Sequence, residues 1–160
     1  MKIVTFSLLL SCLSFWSMAQ GEEVAVMEPI NNLFNGMNKG DSAMVHKAFR
    51  DDVTFATIGL DKEGNPRFKR GDLKSFLVAM GTTRKDVYSE PIWDVKIDID
   101  GNMAQVWAKY AFYLNKDFHH CGVDAFQLFK GSDGWKIFQL SDTRQTEGCN
   151  VPAAIQNQFK

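Results

Sequence analysis

Histidine and cysteine are scarce here, three of each among 160 residues, too few for a disulfide-built scaffold and little material for a metal centre. His46 falls on a helical stretch, while His119 and His120 are neighbours on a strand, where adjacent side chains point to opposite faces. No metal site is expected. Charge of one sign is also missing: 18 basic residues meet 19 acidic ones, a net of -1, so no basic field exists to hold nucleic acid by its phosphates. Four prolines and 12 glycines exclude collagen-like and low-complexity chains. A glycine-rich phosphate loop, a serine nucleophile elbow and a Walker pattern are all lacking, and no cofactor is implied. What remains is the composition of one globular domain, 45% hydrophobic and 12% aromatic.

The single long apolar run is N-terminal. Lys2 precedes Ile3–Trp16, a run shorter than the roughly 20 residues of a bilayer span. Ser17-Met18-Ala19 supplies the small residues of a cleavage site. The expectation is a signal peptide over residues 1–19 and one domain over 20–160, exported to a periplasm or secreted, with no transmembrane segment after cleavage. Cys121 and Cys149 would then meet an oxidising compartment. A disulfide is favoured over two free thiols, and closing that loop would stabilise the fold by about 3–4 kcal/mol in the chain-entropy picture.

Residues 24–38 carry Val26, Ile30, Leu33, Phe34 and Met37 at helical spacing, with Pro29 in the first turn or at a kink. Gly40 ends this helix. Asp41 caps a second, with Met44, Val45, Ala48 and Phe49, and Asp72 caps a third, with Leu73, Phe76, Leu77 and Met80. Between these two helices lies a strand around Val53, Phe55 and Thr57, then a loop near Gly64-Asn65-Pro66 and the basic run Arg67, Lys69 and Arg70. That run reads as a solvated strand edge which, if near a pocket mouth, would attract an anion. After Val87 everything reads as strand: Trp93–Ile99 alternates, Asp100-Gly101 turns, Met103–Leu114 returns, and Phe118–Lys130 and Trp135–Arg144 follow. Helices first and an antiparallel meander second make an α+β fold, three N-terminal helices covering a curved antiparallel sheet.

Particular residues add to this layout: Phe34-Asn35-Gly36-Met37 with Gly40-Asp41, Val106-Trp107-Ala108-Lys109-Tyr110, His120-Cys121-Gly122-Val123-Asp124-Ala125-Phe126, and Gly134-Trp135-Lys136-Ile137 with Asp142-Thr143-Arg144 and Cys149. Together they resemble the nuclear-transport-factor-2-like superfamily, also called SnoaL-like or ketosteroid-isomerase-like, and within it the branch named putative lumazine-binding. The resemblance spans Val24–Cys149. It implies a cone whose open end is a pocket between helices and sheet, and a homodimer formed through the sheet.

Register assigns the polar groups. With Ser132-Asp133 at the last turn, Gly122 opposes Thr143, Asp124 opposes Ser141 and Cys121 opposes Arg144. One face then joins Val106, Ala108, Tyr110 and Phe112 to Cys121, Val123, Ala125, Leu140, Asp142 and Arg144. Being the more apolar, it is assigned to the concave side. Asp142 and Arg144 stand in the pocket wall as an ion pair or as ligand contacts. The other face holds Trp107, His120, Asp124, Phe126, Ile137 and Trp135, and a β-bulge near His120 would instead swing Asp124 into the pocket. The ligand-binding candidates are Arg144, Asp142, Tyr110 and Asn35, for an unknown small molecule that is anionic or aromatic. A second reading is an isomerase or dehydratase, with Asp142 or Asp124 as base, His120 as shuttle and Tyr110 as hydrogen-bond donor. A third is a dimeric scaffold using Trp107, Phe126 and Trp135 on an exposed sheet face.

Overall fold

A computed structural model of the chain describes residues 8–81 and 85–160, with side chains from Gln20 onward. Residues 1–7 and the side chains of the expected cleavage site lie outside the described residues. Helix α1 spans Leu8–Lys39, longer than its apolar stripe required, and it runs through Pro29, which is buried mid-helix rather than in the first turn. Val26, Ile30, Leu33 and Met37, one face at a 3.6 period, are at most 5% exposed. No described helix is long and apolar enough to cross a membrane.

Gly40 ends α1 at φ 71°, a left-handed conformation that costs glycine little. Asp41 then caps α2 (Ser42–Ala48) by accepting the Met44 N–H at 2.9 Å. Asp72 does the same for α3 (Leu73–Gly81), accepting the Ser75 N–H at 2.9 Å. Phe76 of α3 packs edge-on against Phe49 and tilts over Phe55, joining the helices to β1 (Phe49–Leu60).

β1 forms a hairpin with the fully exposed β2 (Pro66–Gly71). Next come β3 (Tyr88–Ser89), β4 (Ile92–Asp100), β5 (Met103–Leu114), β6 (Asp117–Gly131) and β7 (Gly134–Thr143). The sheet order is β2-β1-β7-β6-β5-β3, with β4 also paired to β5. All pairings are antiparallel except β1 with β7, so the meander closes against a parallel neighbour from the start of the chain. The C-terminus is not all strand: α4 (Ala153–Gln156) and a 3-10 turn (Asn157–Phe159) follow.

Two one-residue irregularities decide the faces. Phe112 pairs with His120 but Tyr113 with Phe118, leaving His119 as the extra residue of a bulge. Leu128 pairs with Ile137 but Gln127 with Gln139, leaving Phe138 extra. The face assignment made from unbroken alternation is corrected, and the alternative of a bulge near His120 that swings Asp124 into the pocket is the arrangement observed. Asp124 opposes Asp142 rather than Ser141, and Cys121 bridges Gln145 rather than Arg144. His120, Asp124, Phe126, Trp135 and Ile137 belong to the concave side, while Cys121 turns to the convex side.

Two cores result. The larger lies between helices and sheet and contains Ile30, Leu33, Val106, Phe126, Leu128 and Ile137. Glu22 closes its edge, accepting from Lys130 Nζ at 2.6 Å and Trp135 Nε1 at 2.9 Å. The smaller lies on the convex side, where Ile155 packs on Ala111, Tyr113 and Cys121. There Cys121 and Cys149 form the expected disulfide, and Phe159 stacks on Tyr113 at 3.7 Å. Phe126 and Trp135 are therefore core residues. Of the three aromatics expected on an exposed sheet face, only Trp107, 51% exposed, stands there.

Candidate functional site

A single register row crosses the sheet at the open end of the cone. Lys69 pairs with Thr57, Thr57 with Asp142, Asp142 with Asp124, and Asp124 with Ala108. Residues level in a row share a face, and Lys69, Thr57, Asp142 and Asp124 line one cavity of about 610 Å³. Its apolar walls come from α1 and α3, through Leu33, Met37, Phe76 and Met80, and from Phe112 and Leu140 on the sheet.

Asp142 is the hub of the row. Its Oδ1 accepts the Thr57 hydroxyl at 2.6 Å, and its Oδ2 accepts Arg144 Nε at 2.6 Å. The sequence placed Asp142 and Arg144 together at the rim, and there they are, with side chains 14% and 52% exposed respectively. No other bond of the Arg144 guanidinium is seen among the described residues.

Tyr110 sits beneath this pair, 1% exposed. Its hydroxyl donates to the Thr143 carbonyl at 2.8 Å and lies 3.3 Å from Asp142 Oδ2. A phenol has one proton, so Tyr110 is committed to bracing β7. Burial first, then the charge of Asp142, pushes its pKa well above the ordinary tyrosine value. The brace needs Gly122: a Cβ built there would lie 1.8 Å from the Thr143 carbonyl oxygen.

Asp124 is the deepest acid, 3% exposed, and its Oδ2 has no hydrogen-bond partner. Its carboxyl bonds to that of Glu90, a residue the sequence reading did not single out. Glu90 lies between β3 and β4, strands that both lean on β5, and Pro91 biases it to extended backbone. Burial, followed by the charge of Asp142, pushes Glu90 up to about 8, with Arg144 and Asp124 opposing. Burial and the neighbouring Glu90 likewise raise Asp124 well above the carboxylate range. Three carboxyls around one guanidinium cannot all ionise among these apolar walls, so one proton stays on the Glu90–Asp124 pair at neutral pH and the pair keeps one negative charge.

The histidines differ from expectation. The bulge lets the rings of His119 and His120 meet, Nδ1 to Nδ1 at 2.8 Å, and both line the cavity. Burial, with Arg144 and His119 nearby, depresses His120 to about 4, against the pull of Asp142. It is a neutral imidazole able to donate or accept. No cluster of three or more metal-ligating side chains occurs among the described residues.

Asn35 does not join the site; it is exposed on α1 and absent from the cavity lining. Lys69 and Arg70 do join it, at the exposed edge strand. Glu90 and Thr57 were missed. The available signals were weak: one acid inside the otherwise mostly apolar Tyr88–Trp93, and a threonine in step with Phe55.

Residues 21–140 match the family described as putative lumazine-binding. Among curated proteins none matches the chain. Solved structures do. A nuclear-transport-factor-2-like protein of unknown function from Shewanella baltica is 20% identical, with a TM-score of 0.58 over 79% of this chain and 96% of its own. A protein of the same type with a cystatin-like fold, from Novosphingobium aromaticivorans, is 10% identical, with a TM-score of 0.62 over 99% of both chains. A putative dehydratase of that family from Streptomyces avermitilis is 15% identical, with a TM-score of 0.58 over 79% of this chain and 97% of its own.

Proposed function

The chain belongs to the putative lumazine-binding family, with the nuclear-transport-factor-2-like fold, and on that premise we propose that it is an exported protein that binds a small organic molecule in the cone. The observation that carries this reading is the open-mouthed, mainly apolar cavity of about 610 Å³ at whose floor Asp124 Oδ2 is buried without a partner. A buried acceptor left unpaired costs about 1–3 kcal/mol, and a bound donor group recovers it. Export is supported by the leader pattern and by the Cys121–Cys149 bridge.

Native mass spectrometry of the exported protein tests the reading, with a denaturing spectrum of the same sample. The expected result is a bound mass lost on denaturation, in a particle of one or two chains; two chains would fit a dimer through the sheet face around Trp107. Arg144→Ala should lower retention of that molecule at least tenfold while far-ultraviolet circular dichroism stays unchanged. Unfolding of Arg144→Ala would instead make the Asp142 pair a structural pin. An empty chain whose melting temperature no member of a metabolite panel raises would refute the binding reading.

A second reading is acid–base catalysis, favoured by the carboxyl-to-carboxyl bond of Glu90 and Asp124 beside a neutral His120. Such a pair gives or takes a proton near neutral pH. Turnover of a bound molecule, lost in Asp124→Asn, would support it.

A further inference from the structure

The cavity is not evenly charged. Its floor holds Glu90, Asp124 and Asp142, of which Asp142 is already paired with Arg144. Its opening is flanked by Lys69 and Arg70 on the exposed edge strand and by the half-exposed Arg144. Lys69 makes no ion pair or hydrogen bond among the described residues, and Arg70 only leans over the Phe68 ring at 5.5 Å. The two ends of the site therefore ask for opposite things.

From these placements, and resting on the binding reading above, we infer that the cavity takes a dipolar organic molecule. A protonated amine or comparable N–H donor meets Asp124 and Glu90 at the floor, and a carboxylate or similar anion meets Lys69, Arg70 and Arg144 at the mouth. The independent pointer is Asp124 Oδ2, in a residue 3% exposed that lines the cavity, an oxygen with no hydrogen-bond partner of its own. Because Asp124 shares a hydrogen bond with Glu90 through its carboxyl, the free oxygen acts as an acceptor and the ligand must bring the proton.

The register row sets the length. Lys69 and Asp124 stand three strands apart, through Thr57 and Asp142, which at strand spacing is about 14 Å between Cα atoms. A lysine reaching inward and an aspartate reaching to meet it leave room for about one ring with a substituent at each end. Phe112, Leu140 and Phe76 supply apolar surface for that ring.

The test uses four probes on the oxidised protein, with affinities from calorimetry or ligand-observed NMR. They are para-aminomethylbenzoate, which carries both ends, benzoate, benzylamine, and para-xylene, which has neither. The inference expects para-aminomethylbenzoate to bind at least tenfold more tightly than either half. Lys69→Gln with Arg70→Gln should bring it down to the level of benzylamine. Asp124→Asn should bring it down to the level of benzoate, and Glu90→Gln, at a less buried position, should weaken the amine end in the same sense if Asp124→Asn does not fold. Benzoate binding as tightly as the dipolar probe would overturn the inference, as would benzylamine doing so. Binding of para-xylene with no preference for the dipolar probe would overturn it while leaving the binding reading intact. Failure of all four probes would overturn the inference, and the native mass spectrum and metabolite panel decide the binding reading separately.

Discussion

Replacing Glu90 by glutamine should flatten the dependence of stability on pH between 6.5 and 8. Glu90 rises from 4.5 to about 8 in the folded protein, chiefly through burial. Across that window the folded chain holds a proton that the unfolded chain has released, so stability falls as pH rises and stops falling above about 8. Each pH unit costs about 1.4 kcal/mol per such proton. His120 acts in the opposite sense lower down: its fall from 6.5 to about 4 removes stability as pH drops through that range. The interval from 6.5 to 8 is therefore where the hydrogen-bonded Glu90–Asp124 pair acts without it, and the one proton that the pair holds gives an expected loss there of about 2 kcal/mol, or about 4–8 °C in melting temperature for a chain of this size. Urea denaturation of the oxidised protein at the two pH values, wild type beside Glu90→Gln, measures it. The variant should lose about 2 kcal/mol less than the wild type. Parallel curves for the two proteins would refute the assignment of a proton to Glu90.

Gly122→Ala should be among the most damaging single substitutions, because the added carbon would meet the Thr143 carbonyl oxygen at 1.8 Å. Strand separation and loss of the Tyr110 brace should cost on the order of 3 kcal/mol or more, seen as a shifted denaturation midpoint, whereas a midpoint within error of wild type would show that β6 and β7 can part freely. Reducing the Cys121–Cys149 bridge, which spans 28 residues, should lower stability by about 3–4 kcal/mol, and Ile155 and Phe159 should lose hydrogen-exchange protection before the main core does. His120→Phe should remove the stability loss between pH 6.5 and 4 that a neutral buried histidine imposes; an unchanged acid limb in thermal melts would count against it.

Helices and strands were legible because their signals are local. The stripe from Val26 to Met37, the caps Asp41 and Asp72, and the turn at Asp100-Gly101 each declare themselves within a few residues. The disulfide followed from counting cysteines in a chain whose leader pattern led to an expectation of export. The Asp142–Arg144 pair was legible because two residues separated by one on a strand share a side. Asp124 was legible only as an alternative, because its face depends on how many residues lie between it and the β5–β6 turn, and His119 is one more than alternation allows. Glu90 was hidden for a different reason. Its importance comes from Asp124 across β5, a contact distant in sequence, and the sequence around it carries only a proline. Asn35 was placed in the site from the helix that bears it, but the inward face of that helix belongs to Leu33 and Met37.

The bulge at His119 carries a consequence for how this protein tolerates change. Deleting His119 itself would only take out the extra residue: plain alternation from Leu114–Asp117 would then run through Phe112–His120 and still bring Asp124 opposite Ala108. Deleting a residue between His120 and Asp124 with the bulge kept would instead present Ala125 and Gln127 to the cavity and turn the acid of the floor outward. The strand therefore carries one spare residue, and the site tolerates a shortening at that point which it would not tolerate beyond it.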